Sequence, residues 1–224
     1  MGHKVIVTGA TGMVGKGVLL ECIDSKLIDK ILVVGRNPNT VVDDKVEEVL
    51  VEDFFHLESI EENIKGYDAC FFCLGTTSFG LPEAEYSRIT FDITTHFAQF
   101  YLKQNPDSIF SYVSGAGTDG TKKSRIMWVR VKGNTENALL DMGFKKAYMF
   151  RPGYIHPMRG IQSKTAWIRV LYALFSPIYF LLKHIPGAAT STENVGKAMI
   201  QTINSDYPNS FLGNKEINKV AAKI

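Results

Sequence analysis

The chain has 224 residues, of which 45% are hydrophobic and 21% are charged, and its formal net charge at pH 7 is +2. A single folded domain fits these values, whereas disordered, collagen-like and solenoid proteins are excluded. Because no basic run is longer than Lys122-Lys123, we expect no nucleic-acid binding. Three cysteines cannot form a disulfide framework and no signal-peptide pattern precedes Val5, so we expect a cytoplasmic protein.

Short apolar runs of strand length alternate with longer helix-like segments from the start of the chain. We predict buried strands at residues 5–7, 31–34, 69–74, 109–113 and 147–150, and a weaker edge strand at 46–51. We predict helices at residues 13–25, 82–104 and 125–142. This alternation predicts an α/β fold with a doubly wound parallel sheet, in which ligands bind beyond the carboxyl ends of the strands. After the core at residues 1–153, the rhythm is lost, and we expect residues 154–224 to form a small C-terminal lobe of the same domain.

An apolar stretch at residues 166–185 is a candidate for membrane contact. As a helix, its longest uncharged run, residues 170–182, would cover about 20 Å of a hydrocarbon layer about 30 Å thick. We therefore expect no stable membrane insertion. The sequence leaves three uses of the stretch open: the core of the lobe, the wall of a hydrophobic substrate pocket, or an interfacial surface.

Three glycines spaced by three residues follow the first strand, at the junction with the first helix. In such a loop the first glycine permits a tight turn, the second lets the backbone approach a pyrophosphate, and the third lets the helix pack closely. The helix N-terminus supplies unpaired N–H groups. The order of strand, loop and helix predicts dinucleotide binding. The predicted binding residues of this loop are Gly9, Thr11, Gly12, Met13, Val14 and Gly15.

The end of the second strand indicates which dinucleotide is bound. An acidic side chain there binds the ribose 2′-hydroxyl, whereas a basic one accommodates a 2′-phosphate. This chain has Gly35-Arg36-Asn37, and the planar guanidinium of Arg36 suits a phosphate. The sequence therefore favours NADP over NAD, although Arg36 could also be a solvated loop charge.

Several motifs occur in the order typical of one known superfamily. They are residues 8–15, Gly35-Arg36, Asp53, residues 74–77, Ser114, Lys132-Gly133 and residues 151–153. With them the chain resembles an atypical short-chain dehydrogenase/reductase of the NAD-dependent epimerase and NAD(P)H-binding superfamily, and within it the small Tat-interacting oxidoreductase-like proteins. The resemblance implies an NAD(P)-binding Rossmann fold. It also implies that Asp53 lies near the adenine and that Lys132 reaches the nicotinamide ribose. Further cofactor contacts implied by the resemblance are Leu74, Gly75, Thr76, Thr77, Pro152 and Ile155.

The resemblance also implies a catalytic group. In active relatives, a Ser after the fifth strand acts with a Tyr and a Lys that lie four residues apart on the next helix, where the Lys cation lowers the pKa of the phenol. Ser114 and Lys132 are present, but Trp128 occupies the Tyr position, and an indole N–H does not exchange its proton near neutral pH. Lys132 itself or Tyr154, which follows the last predicted strand of the core, could replace the phenol.

Two functions from different classes remain open on the sequence. The first is an NADP-dependent oxidoreductase or sugar-epimerase-like enzyme acting on a small carbonyl or hydroxyl substrate, which Ser114 and Lys132 favour. The second is a weakly active or inactive NADP(H)-binding sensor that acts through a protein partner, which Trp128 favours. We expect no metal site, because the histidines show no ligand spacing. From the resemblance, a homodimer would form through the helices at 82–104 and 125–142.

Overall fold

The structure is a computed structural model that describes residues 2–121, 123–161, 182, 185, 187–205 and 207–223. Strands and helices alternate along the described chain. In order, the elements are β1 (His3–Thr8), α1 (Met13–Asp24), β2 (Ile28–Gly35), β3 (Val46–Leu50), a 3-10 turn (Glu58–Ile60), β4 (Ala69–Phe72), α2 (Glu83–Ser87), a π-helical turn (Arg88–Asp92), α3 (Ile93–Gln104), β5 (Ile109–Val113), α4 (Met127–Leu140), β6 (Lys146–Arg151), β7 (Tyr154–His156), β8 (Ala189–Ser191), α5 (Thr192–Asn204), β9 (Phe211–Gly213) and α6 (Asn214–Ala221).

The central sheet has seven strands in the order β3-β2-β1-β4-β5-β6-β9, and every neighbouring pair is parallel. This confirms the predicted doubly wound parallel sheet, including β3 at its edge. The strand order reverses between β1 and β4, which is where ligands bind in such sheets. The predicted helix at residues 82–104 is divided into α2, the π-helical turn and α3.

A hydrophobic layer covers each face of the sheet, because neighbouring residues of a strand point to opposite sides. Val5 and Val7 of β1 belong to the layer formed with α1, α5 and α6, whereas Ile6 between them belongs to the layer formed with α3 and α4. All three are fully buried. The continuous apolar run that predicted β1 thus reflects burial on both faces.

The last described part of the C-terminal segment joins the main sheet and its core. β9 is the seventh strand, and Leu212 on it packs with Val195 and Met199 of α5 in the same hydrophobic layer as β1. The predicted boundary at residue 153 therefore does not divide the hydrophobic core. A smaller parallel pair, β7 and β8, lies outside the main sheet.

Most of the apolar stretch at residues 166–185 lies outside the described residues, so its predicted uses stay predictions. Within the described part of the chain, every helix is too short or too polar to cross a bilayer.

Candidate functional site

The glycine loop after β1 is packed too closely for side chains at two positions. Gly9 has a φ of 68°, in the left-handed region, and a Cβ on it would lie 2.6 Å from the Cys73 backbone carbonyl. A Cβ on Gly15 would lie 2.2 Å from the carbonyl oxygen of Gly9. The Gly12 N–H donates to that same oxygen over 2.8 Å. The glycines thus let the loop lie against the end of β4 and let α1 begin directly above it.

The N-terminus of α1 is left open to an anion. Its N-cap is Gly12, no side chain caps it, and its first turn contains no acidic residue. The first N–H groups of a helix have no partner within the helix, and the helix dipole favours negative charge there. These features fit the pyrophosphate of a dinucleotide.

A cavity of about 270 Å³ joins this loop to the ends of β2 and β4. Six of the predicted cofactor residues line it: Gly9, Thr11, Gly12, Arg36, Leu74 and Gly75. Five residues that were not predicted to contact the cofactor also line it: Ala10, Val33, Gly35, Asn37 and Cys73. Asn37 and Cys73 each come just after a buried strand, and this position at the carboxyl edge of the sheet was the available signal.

Other predicted cofactor residues do not line this cavity. Asp53 accepts a hydrogen bond from the Phe55 backbone N–H over 3.0 Å and lies 3.5 Å from the ring of His56, so its carboxylate stabilises a local turn. Thr77 likewise accepts from the Phe79 backbone N–H over 3.2 Å, and Thr76 is exposed. Met13 and Val14 lie in the first turn of α1, outside the lining of the cavity.

One face of α4 carries the second part of the candidate site. Trp128, Lys132 and Glu136 are spaced four residues apart and so lie on the same side of the helix. The Lys132 ammonium donates to the backbone carbonyl oxygen of Ser114 over 2.6 Å. Burial lowers the pKa of Lys132 from its ordinary 10.5 to about 8, and the charge of Glu136 opposes part of that shift. Lys132 can therefore exchange a proton near neutral pH.

The Ser114 hydroxyl is engaged by a buried ion pair. It donates to Glu136 Oε1 over 2.5 Å, and Glu136 is fully buried. Arg151 donates to the same carboxylate through Nε, over 2.9 Å and 3.2 Å, and through Nη2 over 2.5 Å. The Arg151 guanidinium also lies 4.2 Å from the ring centroid of Phe211 on β9. Ser114 thus links the end of β5 to α4 and β6.

Gly115, and not Ser114, stands opposite Trp128. A Cβ on Gly115 would lie 3.7 Å from Trp128 Cζ3. A serine at position 115 would therefore direct its side chain toward position 128, whereas the Ser114 hydroxyl bonds one helical turn beyond Lys132. Both positions that face each other here, 115 and 128, lack a hydroxyl group.

The loop after β6 lies beside the loop after β5. The Ala116 N–H donates to the Pro152 carbonyl oxygen over 2.9 Å, and Pro152 and Ile155 are buried. The Tyr154 hydroxyl lies 3.4 Å from Nδ1 of His156, whose pKa is lowered by burial. Tyr154 begins β7, three residues after the carboxyl end of β6.

Comparisons with known proteins agree with this fold. No protein-family model matches the sequence. Protein HTATIP2 of Rattus norvegicus is 29% identical over 167 residues, which cover 74% of this chain and 68% of that protein. Protein FMP52-1, mitochondrial, of Scheffersomyces stipitis is 24% identical over 228 residues, which cover 99% of this chain and 100% of that protein.

Solved structures share the fold. The ADP-L-glycero-D-manno-heptose-6-epimerase of Helicobacter pylori superposes with a TM-score of 0.71 at 14% identity, over 99% of this chain and 81% of that one. This chain has a Rossmann-like fold of the kind found in NAD-dependent epimerases and short-chain dehydrogenases. The Bordetella bronchiseptica enzyme WbmH in complex with NAD+ has a TM-score of 0.64 at 12% identity, over 91% of this chain and 72% of that one. A Burkholderia cenocepacia short chain dehydrogenase in complex with NADP also has a TM-score of 0.64, at 13% identity, over 99% and 92%.

Within this Rossmann-like fold, the predicted residues fall into two groups. The glycine loop, Arg36 and the end of β4 meet around one cavity, whereas Ser114, Lys132 and Trp128 meet along α4. Their roles in binding and catalysis stay predictions.

Proposed function

We propose that this protein binds NADP(H) and is an NADP-dependent oxidoreductase or sugar-epimerase-like enzyme that acts on a small carbonyl or hydroxyl substrate. The observation that carries the proposal is the cavity between the glycine loop, Arg36 and the end of β4. Fold neighbours solved with NAD+ and with NADP support a nucleotide cofactor.

The choice of NADP rests on charge. The cavity lining contains Arg36 and no carboxylate, so its charge is positive. Arg36 is exposed and forms no ion pair with any described carboxylate. A guanidinium that is not already paired suits a phosphate. Gly9, Thr11 and Gly12 would hold the pyrophosphate through backbone N–H groups, and Leu74 and Gly75 would lie against the adenosine.

In the proposed reaction, Lys132 is the proton donor. A bound nicotinamide supplies or accepts a hydride. The Lys132 ammonium, whose pKa burial lowers to about 8, would give its proton to the developing alkoxide of a carbonyl substrate. The Ser114 carbonyl oxygen holds the ammonium in place. In this proposal the Ser114 hydroxyl is a structural anchor of α4, while Tyr154, beside His156, remains the second candidate for the acid.

A sensor without turnover is the second candidate function. Gly115 and Trp128 favour it, because the two positions that face each other across the loop and α4 carry no hydroxyl group. Such a protein would bind NADP(H) and act through a protein partner.

Calorimetric titration with NADP, NADPH, NAD and NADH tests the binding proposal. We expect the two phosphorylated nucleotides to bind more tightly, and Arg36→Asp to reverse that preference. Lys103→Asp is the control, because it makes the same charge change in the last turn of α3. That turn leads into the amino end of β5, away from the carboxyl ends of the strands where Arg36 lies. If Arg36→Asp leaves the preference unchanged, the assignment of Arg36 is refuted. If none of the four nucleotides binds, the proposed function fails.

Assembly and location are also proposals. A groove of about 530 Å³ lies between the π-helical turn and α4, and Asn134 Oδ1 is buried there without a hydrogen-bond partner among the described residues. This supports a homodimer through these helices, and light scattering would test it. The cytoplasm is the proposed location; since the fungal FMP52 relatives are named mitochondrial, cell fractionation decides between the two compartments.

A further inference from the structure

Lys132 and Glu136 do not pair with each other, although only one helical turn of α4 separates them. Lysine and glutamate at this spacing ordinarily form an ion pair. Here the Lys132 ammonium donates to the Ser114 carbonyl oxygen over 2.6 Å and, among the described residues, forms no ion pair with a carboxylate. The ammonium is therefore buried against a neutral acceptor, and burial favours the loss of its proton.

Both carboxylate oxygens of Glu136 are engaged by other groups. Arg151, the last residue of β6, donates to Oε1 from Nε over 2.9 Å and to Oε2 from Nη2 over 2.5 Å. The Ser114 hydroxyl donates to Oε1 over 2.5 Å. Glu136 is fully buried, so water does not compete for the carboxylate. These contacts direct the carboxylate toward β6 rather than toward the Lys132 ammonium.

The Arg151 guanidinium is held by β9 as well. Its central carbon lies 4.2 Å from the ring centroid of Phe211, within the range of a cation–π contact. β9 is the parallel neighbour of β6 in the main sheet. The guanidinium is thus fixed between the carboxylate of Glu136 and an aromatic ring of the adjacent strand.

We propose that Arg151 sets the acid strength of Lys132 by holding the Glu136 carboxylate away from the ammonium. This inference rests on the proposed role of Lys132 as the proton donor. Without Arg151, the buried carboxylate would be free to turn to Lys132, which lies on the same side of α4. An ammonium that is paired with a carboxylate keeps its proton more tightly, so Lys132 would become a weaker acid. Arg151 is therefore a positioning residue that acts through Glu136.

The other titratable groups around this pair titrate far from Lys132 or lie on the opposite side of α4. Tyr112 of β5 interacts electrostatically with Glu136, and so does Tyr86 of α2 with Tyr112; burial raises the pKa of both phenols. Hydrogen bonds within the loop after β5 lower the pKa of Asp119, and the charge of Arg151 adds a smaller part. The groups on the opposite side of the helix are Asp92, Asp141 and the ion pair of Arg130 with Glu83.

The titration of Lys132 in the full chain tests this role directly. We measure it by NMR of lysine labelled with carbon-13 at Cε, and Lys132→Met identifies the signal. We expect Arg151→Met to raise the pKa of Lys132 by at least about one pH unit, since the freed carboxylate pairs with the ammonium. Glu136→Gln should lower it, because the charge of Glu136 opposes the effect of burial.

Further variants separate the released charge from a general loosening of the fold. Arg151→Lys keeps a cation beside Glu136 and should leave the pKa of Lys132 near its wild-type value. Combining Arg151→Met with Glu136→Gln removes the carboxylate that is released, so the rise should disappear. Arg130→Met is the matched control, because it breaks the ion pair of α4 with Glu83 and should change nothing at Lys132. If Arg151→Met does not fold, Arg151→Gln, which removes the same charge, should raise the pKa in the same direction.

Two results would overturn the role of Arg151: a Lys132 pKa in Arg151→Met within about half a pH unit of wild type, or an equal rise in the double variant. Turnover tests the proposed function separately, by NADPH oxidation with a panel of small aldehydes and ketones. If wild type reduces none of them, the proposed function fails, while the NMR titration still decides the role of Arg151. If wild type turns over, the basic limb of its kcat profile should move to higher pH in Arg151→Met; a limb that stays in place overturns Lys132 as the donor.

Discussion

Removal of the Ser114 hydroxyl distinguishes a structural role from a catalytic one. In Ser114→Ala the Glu136 carboxylate loses the donor that lies 2.5 Å from Oε1, while the hydrogen bonds from Arg151 remain. Hydrogen bonds to charged groups contribute about 1.5–3 kcal/mol to stability. Ser114 is 6% exposed, so little water can replace the hydroxyl. We therefore expect the free energy of unfolding to fall by about 2 kcal/mol.

Urea unfolding and thermal melting measure this loss. For a chain of this length, about 2 kcal/mol lowers the melting temperature by about 4–8 °C. Ser111→Ala is the matched control, because Ser111 lies on the same strand, is fully buried and has no hydrogen-bond partner among the described residues. Its removal should leave stability unchanged or raise it. NADP affinity should be unchanged in both variants.

The opposite pattern would refute this reasoning. If Ser114→Ala changes the free energy of unfolding by less than about 0.5 kcal/mol, as surface substitutions do, the hydroxyl does not support the buried pair. If it also lowers NADP affinity or turnover, Ser114 faces the ligand as the sequence analysis first proposed.

Three further predictions follow from the site. Gly15→Ala places a Cβ 2.2 Å from the Gly9 carbonyl oxygen, so calorimetry and urea unfolding should show at least tenfold weaker nucleotide binding and a loss of about 1–3 kcal/mol. Lys132 has a lower pKa in the folded chain, about 8, than its ordinary 10.5, so the unfolded chain binds more protons between these values. Stability from this group therefore rises with pH across that window and falls as pH drops toward 8; urea unfolding at both ends should show a slope that Lys132→Met removes. Trp128→Tyr with Gly115→Ser should raise NADPH-dependent carbonyl reduction about 100-fold, the lower end of general acid catalysis, measured by NADPH absorbance, whereas either change alone should not.

The sequence predicted those parts of the fold and site that depend on residues adjacent in the chain. The glycine loop, the end of β2 and the end of β4 were found because each follows a run of buried apolar residues, and parallel strands bring such ends to one edge. Arg36 and Gly75, far apart in the chain, therefore could be predicted to meet. β9 was missed because it has three residues, too few to show a hydrophobic period.

Side-chain direction could not be predicted in the same way. Whether the Ser114 hydroxyl faces the cleft or the core depends on where α4 places Glu136 and where β6 places Arg151, and these three residues meet only after folding. Arg159 likewise meets Asp24 of α1 only after folding, because the two residues are far apart in the chain. Asp53 has the residue type and the place expected near an adenine, yet its carboxylate is engaged by Phe55 and His56.

The two parts of the site differ in how substitutions affect them. Nucleotide contacts from the glycine loop are made by backbone groups, so they depend on the absence of side chains at Gly9 and Gly15 and tolerate change elsewhere. Proton transfer by a phenol at position 128 would need a serine hydroxyl at position 115 as well, because the two positions face each other and the serine would orient the phenol and its substrate. With Gly115 at one position and Trp128 at the other, a single substitution supplies only one of the two hydroxyls. Lys132 needs neither, since its ammonium is held by the Ser114 carbonyl oxygen. A catalytic acid in this chain must therefore work without hydroxyls at positions 115 and 128, and Lys132 meets that condition, as does Tyr154.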